Sequence, residues 1–161
     1  MIRRCTGGGL VPHVGDWTYS LVFPAGHERH RLPATEGYRR LHESVAAAFR
    51  DLGVDARLAQ ECDGCGPGHC FVGHEVHDVL GVEGKLAGAA QRRTRDGLLI
   101  QGSIRPPGEL ARAEWQAAFA RRMGFPAEAI DESAECLARL RGTAERLVVS
   151  KYSKVEYLKM R

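Results

Sequence analysis

Between Val76 and Ile104 three apolar stretches alternate with two turn signals, and no other part of the chain constrains the fold as strongly. Val76–Val82 reads as one strand and Glu83-Gly84 as its turn. Lys85–Thr94 reads as the next strand and Leu98–Ile104 as the third. Asp96-Gly97, between the last two, is the dipeptide that suits a tight hairpin, because both central residues of such a turn take positive φ. Pro106-Pro107 ends the ladder, since proline has no amide hydrogen to give it. The segment therefore predicts an antiparallel meander, and a sheet of this kind must have one face covered by another layer.

The rest of the chain supplies that layer. Asp16–Phe23 places Trp17, Tyr19, Leu21 and Phe23 on one side of a further strand. After Pro33, Thr35 is the predicted N-cap of a helix in which Tyr38, Leu41, Val45, Ala48 and Leu52 recur at helical spacing up to Gly53. Val54–Gln60 reads as a short strand, and the glycine-rich ECDGCGPGHCFVGH that follows as a surface loop. Leu110, Ala111, Trp115, Ala118 and Phe119 form one helical stripe; Leu137, Leu140, Ala144, Leu147 and Val148 form another. Ser153 and Glu156 have the spacing of a capping box. The expectation is a single α+β domain over 1–161, with a central antiparallel or mixed sheet and helices packed against it.

Charge and cysteine usage narrow the function. The formal charge of +3 comes from 23 basic and 20 acidic residues, too even a balance to argue for a nucleic-acid partner. The arginines at Arg92–Arg95 and Arg139–Arg146 read as solvated faces, and a mildly basic surface would also suit an acidic carrier protein. No apolar run has the length of a membrane span, and MIRRCTGGGL has no apolar stretch behind its basic residues. These features predict a cytoplasmic protein without nucleic acid or membrane. Five cysteines, an odd number, predict reduced thiols in place of a disulfide framework.

Three segments have the residues of a reactive site: RRCTGGGLVPHVGDWTYS (3–20), CFVGHEVHDVLGVEGKLAGAAQRR (70–93) and LLIQGSI (98–104). Gly7, Gly8 and Gly9 let backbone amides approach an anionic or thioester oxygen, or form a flexible turn. Arg3 and Arg4 are placed to hold an anion, or stand solvated, and His13 to donate to a ligand or to cap a strand. Lys85 opens a strand from which bulk has been removed, with Gly88 and Ala90 among its small residues. Such a surface admits a second backbone or a ligand, and a lysine at its edge can stabilise an oxyanion or be a plain surface lysine beside a turn. Cys70 lies in a polar loop near His69, His74 and His77, and a thiolate near cations is the activated form of cysteine. Cys62, Cys65 and Cys70 with His69 and His74 also have the ligand types of a zinc module.

Taken in order, these segments resemble the biotin/lipoate protein ligase superfamily, in its lipoate–protein ligase and cysteine-type octanoyltransferase branch. The R-R-x-T-G-G-G-x-V-x-H and G-x-x-x-x-S pattern is matched by Arg3, Arg4, Thr6, Gly7–Gly9, Val11, His13, Gly15 and Ser20. The central C-F…D-V-L…E-G-K-L-A-G-A-A-Q-R-R, the following Q-G-S-I and the C-terminal KYSKVEYLKMR extend the likeness along the whole chain. The family usually has an acidic residue after the motif histidine, where this chain has Val14. The resemblance implies a class II biotin–lipoate ligase-like fold lacking its N-terminal elements, since Met1 lies two residues from Arg3. A second copy of the chain or a separate N-terminal chain would supply what those elements cover. It implies Lys85 as the acyl-carbonyl contact and Arg3, Arg4, Gly7, Gly8, Gly9, His13, Gly88 and Ala90 as substrate-binding residues. Through Cys70-Phe71 it implies octanoyl or lipoyl transfer onto a lysine of a lipoyl-domain protein by way of a Cys70 acyl-enzyme. That route uses an acyl carrier protein as donor and no cofactor; the alternative is a lipoate–protein ligase using ATP and Mg.

Overall fold

The computed structural model describes residues 4–6, 11–63, 73–125 and 133–159. The chain divides into two compact units, Thr6–Ala127 and Met1–Cys5 with Glu128–Arg161. In the larger unit the order is β1 (Trp17–Pro24), α1 (Glu28–Arg31), α2 (Ala34–Arg50), β2 (Arg57–Leu58), β3 (Val79–Gly81), β4 (Gly84–Thr94), β5 (Gly97–Ile104) and α3 (Arg112–Met123). The five strands form one sheet in the order β1-β5-β4-β3-β2, antiparallel at every pairing. A hairpin joins β4 to β5 as predicted, but its loop is one residue earlier: Thr94 pairs with Gly97, so Arg95 and Asp96 form the loop, Asp96 does not take the expected positive φ, and Gly97 already belongs to β5.

Strand alternation decides which side is covered. Trp17, Tyr19, Leu21 and Phe23 of β1 align through the register with Ile104, Gly102, Ile100 and Leu98 of β5, and these rows face the core. Leu41, Val45, Ala48 and Phe49 of α2 are buried, as are Trp115, Ala118, Phe119 and Met123 of α3, in one cluster with Leu98, Ile100 and Ile104. Trp115 sits at its centre, with ring centroids 4.8 Å from Phe119, 5.9 Å from Phe49 and 6.3 Å from Trp17. Burying a side chain of this class contributes about 2–3 kcal/mol through area alone. The two helices are also tied at the surface, where Arg122 donates from Nε to Asp51 Oδ2 at 2.7 Å. The Arg122 guanidinium holds the Asp51 carboxyl below the usual carboxylate range.

Several boundaries differ from the pattern reading, each for a local reason. α2 starts at Ala34 with Pro33 as its N-cap residue, whose carbonyl accepts from the Gly37 N–H at 2.9 Å; Thr35 falls inside the first turn. The strand expected over Val76–Val82 shrinks to β3. Before it the chain turns, with the Asp78 N–H donating to the Glu75 carbonyl at 3.0 Å and His77 at a φ of 71°. The short strand expected over Val54–Gln60 is the two-residue β2.

The smaller unit contains α4 (Ala134–Leu147), a π-helical turn (Val148–Tyr152) and α5 (Val155–Lys159). Ser133 caps α4, accepting from the Cys136 N–H at 3.2 Å. Leu140 and Val148 of the predicted second stripe are more than half exposed, and no α4 residue is buried, so this stripe is not a core face within its unit. The Ser153 hydroxyl donates back to the Val148 carbonyl at 2.8 Å, which ties it to the preceding turn and not to the predicted capping box. No described helix is long and apolar enough to cross a membrane.

Candidate active site

The sheet face opposite α2 and α3 is where the small residues of β4 collect. Gly88 pairs with Ser103, and Ala90 with Gln101; across β5 these rows continue to Thr18 and Ser20. The segment that precedes β1 is anchored on the same rows. Thr6 is buried and its hydroxyl donates to Gln101 Oε1 at 3.1 Å. The Ser103 hydroxyl donates to Asp16 Oδ2 at 2.5 Å, and His13 Nδ1 stands 2.7 Å from that oxygen. Burial works against the charge on Asp16, but hydrogen bonds from Ser103 and His13 outweigh it and leave the carboxyl below its usual range. The acid that serves His13 is therefore Asp16, three residues on, while Val14 is 85% exposed.

Lys85 reaches this face through an irregularity in the ladder. Val79 pairs with Ala87, but Leu80 pairs with Lys85, so one step on β3 is matched by two on β4. A bulge of this kind breaks strand alternation and re-aims the side chains at it. Leu86 and Ala87 are accordingly both buried in succession. The Lys85 side chain then runs back along its own strand over Gly88. A Cβ on Gly88 would stand 2.7 Å from Lys85 Cε, 2.9 Å from Nζ and 3.1 Å from Asp78 Oδ1. Only glycine leaves that path open.

The lysine ends on a buried carboxylate. Lys85 Nζ lies 2.6 Å from Asp78 Oδ2, with side-chain exposures of 11% and 0%. The same oxygen accepts the Glu75 N–H at 2.8 Å, while Oδ1 accepts the Tyr38 hydroxyl at 2.6 Å. That hydroxyl in turn accepts the Ala89 N–H at 3.2 Å. Burial, with the adjacent Asp78 charge, raises the Tyr38 phenol far above its ordinary range, so Tyr38 is a donor at any working pH. Under Tyr38, at a ring distance of 4.1 Å, His42 is fully buried and pushed down to about 4, chiefly by burial. Its Nδ1 is 2.6 Å from the His77 carbonyl and therefore carries the proton.

An open cleft of about 570 Å³ adjoins Lys85, lined among others by His74, Glu83, Leu86 and Arg105. A cation fixed beside a cleft, over the small residues Gly88 and Ala90, is suited to meeting charge that develops on a carbonyl oxygen. Lys85, Gly88, Ala90 and His13 are thus all found on the larger unit, with Lys85 over Gly88 and His13 bound through Asp16 to the row of Gly88. Arg3, Gly7, Gly8, Gly9 and Cys70 lie outside the described residues. Arg4 is in the smaller unit, where its carbonyl accepts from the Tyr157 hydroxyl at 3.4 Å. Cys5 and Cys136 are free, but Cys62 is disulfide-bonded, contrary to the expectation of reduced thiols. A sulfur held in a disulfide is not a thiolate ligand, so the zinc module loses one of its donors.

Sequence reasoning gave no site role to Asp78, Tyr38, Asp16 or Ser103, although Asp78 and Ser103 fall within the D-V-L and Q-G-S-I segments. Asp78 did have a signal: it is a lone carboxylate inside an apolar, strand-like run, where a buried charge needs partners.

The lipoyl protein ligase A/B catalytic domain matches residues 1–124, and the chain belongs to that family. Among curated relatives, the octanoyltransferase LipM of Kyrpidia tusciae is 34% identical over 157 residues, covering 92% of this chain and 53% of that protein. LipM of Bacillus subtilis is 34% identical over 112 residues, covering 64% of this chain and 40% of that one. The chain thus spans about half or less of these relatives' length. Among solved structures, protein Ta0514 of T. acidophilum with bound lipoic acid superposes with a TM-score of 0.70 at 25% identity, over 97% of this chain and 70% of that one. A bi-partite lipoate protein ligase from Thermoplasma acidophilum, described with its E2 lipoyl domain, gives 0.64 at 25%, over 97% and 69%.

Proposed function

We propose that the chain is the acyl-binding and catalytic part of an octanoyltransferase that moves an octanoyl or lipoyl group onto a lysine of a lipoyl-domain protein. The observation that carries the reading is the Lys85 ammonium, fixed over Gly88 on the small-residue face of the sheet. That the LipM relatives are octanoyltransferases supports the acyl group and the reaction type.

In this reading the Cys70 thiolate adds to the carbonyl of a donor thioester. The carbonyl electrons move onto oxygen, where Lys85 meets the charge, and the donor leaves as its thiolate as the carbonyl re-forms. The acceptor amine then adds to the Cys70 thioester and gives its proton to solvent, and the Cys70 thiolate departs. No cofactor enters; each step exchanges one acyl bond for another. In the family resemblance, Gly7–Gly9 are the proposed close approach to the acyl carbonyl and His13, held by Asp16, the proposed contact to the polar end of the donor; Arg3 and Arg4 are proposed substrate-binding residues on the motif alone. An acyl carrier protein is the proposed donor. A homodimer, or a complex with a separate chain, is the proposed assembly.

Two parallel reactions on a lipoyl-domain substrate test this, both with reductant sufficient to open the disulfide at Cys62. One receives octanoyl carrier protein without ATP; the other receives free octanoate or lipoate with ATP and magnesium. The proposal expects product in the first and its loss in Cys70→Ser. Product that requires ATP and survives Cys70→Ser would assign the ligase reaction instead. Product in neither would contradict the acyl-transfer reading.

A further inference from the structure

Among the described residues His77 alone combines a side chain with a positive φ, 71°. Residues bearing a Cβ seldom take that conformation, and it persists where the surroundings impose it. Here two hydrogen bonds do so. The His77 N–H donates to the Ala59 carbonyl at 2.9 Å, and its own carbonyl accepts from buried His42 at 2.6 Å. The turn directs the next residue, Asp78, to the point where β3 stops pairing with β4. There its carboxylate is fully buried between the Tyr38 hydroxyl, the Glu75 N–H and the Lys85 ammonium. Stability alone does not call for such a group, because apolar residues of similar volume commonly stabilise a fold as well as a buried ion pair does. What the carboxylate does provide is direction for Lys85.

We propose that Asp78, seated by Tyr38, is a positioning residue that holds Lys85 over Gly88 as a stationary charged donor, so that Lys85 neither takes up the acyl group nor exchanges protons during transfer. The use of this anchor rests on the transferase reading; the anchor itself is a property of the folded chain. During transfer the electron pair displaced from the donor carbonyl rests on its oxygen facing Lys85, and returns when the thiolate leaves. Lys85 keeps its protons throughout. A lysine free to act as a nucleophile so near a thioester would end as an amide and stop turnover. The bond to Asp78 commits its nitrogen to donation.

The test compares the parent chain with Asp78→Asn and Tyr38→Phe. Asparagine keeps an acceptor for Tyr38 but removes the charge that Lys85 meets; phenylalanine keeps the charge and removes the hydroxyl that seats it. Folded protein is treated with the N-hydroxysuccinimide ester of acetic acid, and acetylation of Lys85 is read by peptide mass relative to exposed Lys154. Releasing the amine should raise relative labelling about tenfold in Asp78→Asn and about threefold in Tyr38→Phe. In octanoyl transfer, kcat should fall about 10–100-fold in Asp78→Asn with the donor KM within about threefold, the pattern of an interaction made in the transition state. Unfolding would also expose Lys85, which is 11% exposed in the fold, so labelling and rates are read only on variant protein that matches the parent by circular dichroism and size exclusion. If Asp78→Asn does not fold, Tyr38→Phe carries both readouts with the smaller change. Unchanged Lys85 labelling in the folded variants, or a raised KM at constant kcat, overturns the proposal. Raised labelling together with no transfer by the parent chain from any donor keeps the anchor and removes the transferase reading.

Discussion

Lys85 and Gly88 occupy one another's space: the lysine stem lies where a Cβ on Gly88 would be, 2.7 Å from Cε and 2.9 Å from Nζ. The glycine is thus a condition for the lysine's position and not only a relic of a small-residue strand. Substitution by alanine adds a Cβ that Lys85 can escape by swinging its flexible end away from Asp78. Gly88→Ala should therefore reduce octanoyl transfer by about 10–100-fold, the scale of losing one oriented donor at a developing oxyanion. Its melting temperature should move little, because alanine in a strand offsets the contact by about 0.5–1 kcal/mol of backbone entropy. Paired thermal melts and initial rates check this; equal loss of both would mean that the sheet, and not the lysine, was disturbed.

His42 makes the stability of the larger unit depend on acid. Its value of about 4 in the fold, against 6.5 ordinarily, means that the neutral form is the one accommodated. A group depressed in this way contributes its full stability above the unfolded value, and that contribution is lost as pH falls through the folded one. Between about pH 6.5 and 4 the parent should lose on the order of 3 kcal/mol from this source. His42→Gln should be less stable at neutral pH but show a flatter dependence across that window. Urea titrations at a series of pH values measure both slopes, and parallel slopes would remove His42 as the cause.

Trp115 joins β1, α2 and α3 through contacts with Trp17, Tyr19, Phe49 and Phe119. Replacing it with alanine empties the middle of the core, and Trp115→Ala should cost about 3–5 kcal/mol by chemical denaturation. A cost under about 1 kcal/mol, the scale of an exposed position, would show that the packing described for this core is not what holds the unit together.

The meander was legible because its signals are local. Asp96-Gly97 and the alternation of Leu98–Ile104 act within a few residues, and β5 follows them closely. The face of β1 was legible for the same reason. The strand expected at Val76–Val82 was not, because apolar composition cannot reveal that His77 takes a positive φ or that Asp78 turns inward. The bulge at Lys85 is equally invisible, since it depends on register with β3. Motif order led to Lys85 and Gly88, but the partners that fix them, Asp78 and Tyr38, are separated by 40 positions and meet only in the fold. Asp16 shows the limit from the other side: the acid beside His13 was sought at the next position, and the chain supplies it three residues on, just before β1.

The proposed transfer passes through a thioester at Cys70. Intact mass of the reduced chain after incubation with octanoyl carrier protein, without ATP or acceptor, measures it directly. The expected result is a mass increase of one octanoyl group, localised to Cys70 by peptide mapping, released by hydroxylamine at neutral pH and absent in Cys70→Ser, because a hydroxyl without a strong base is a far weaker nucleophile than a thiol. An octanoyl group that resists hydroxylamine, maps to Lys85 or persists in Cys70→Ser would contradict it.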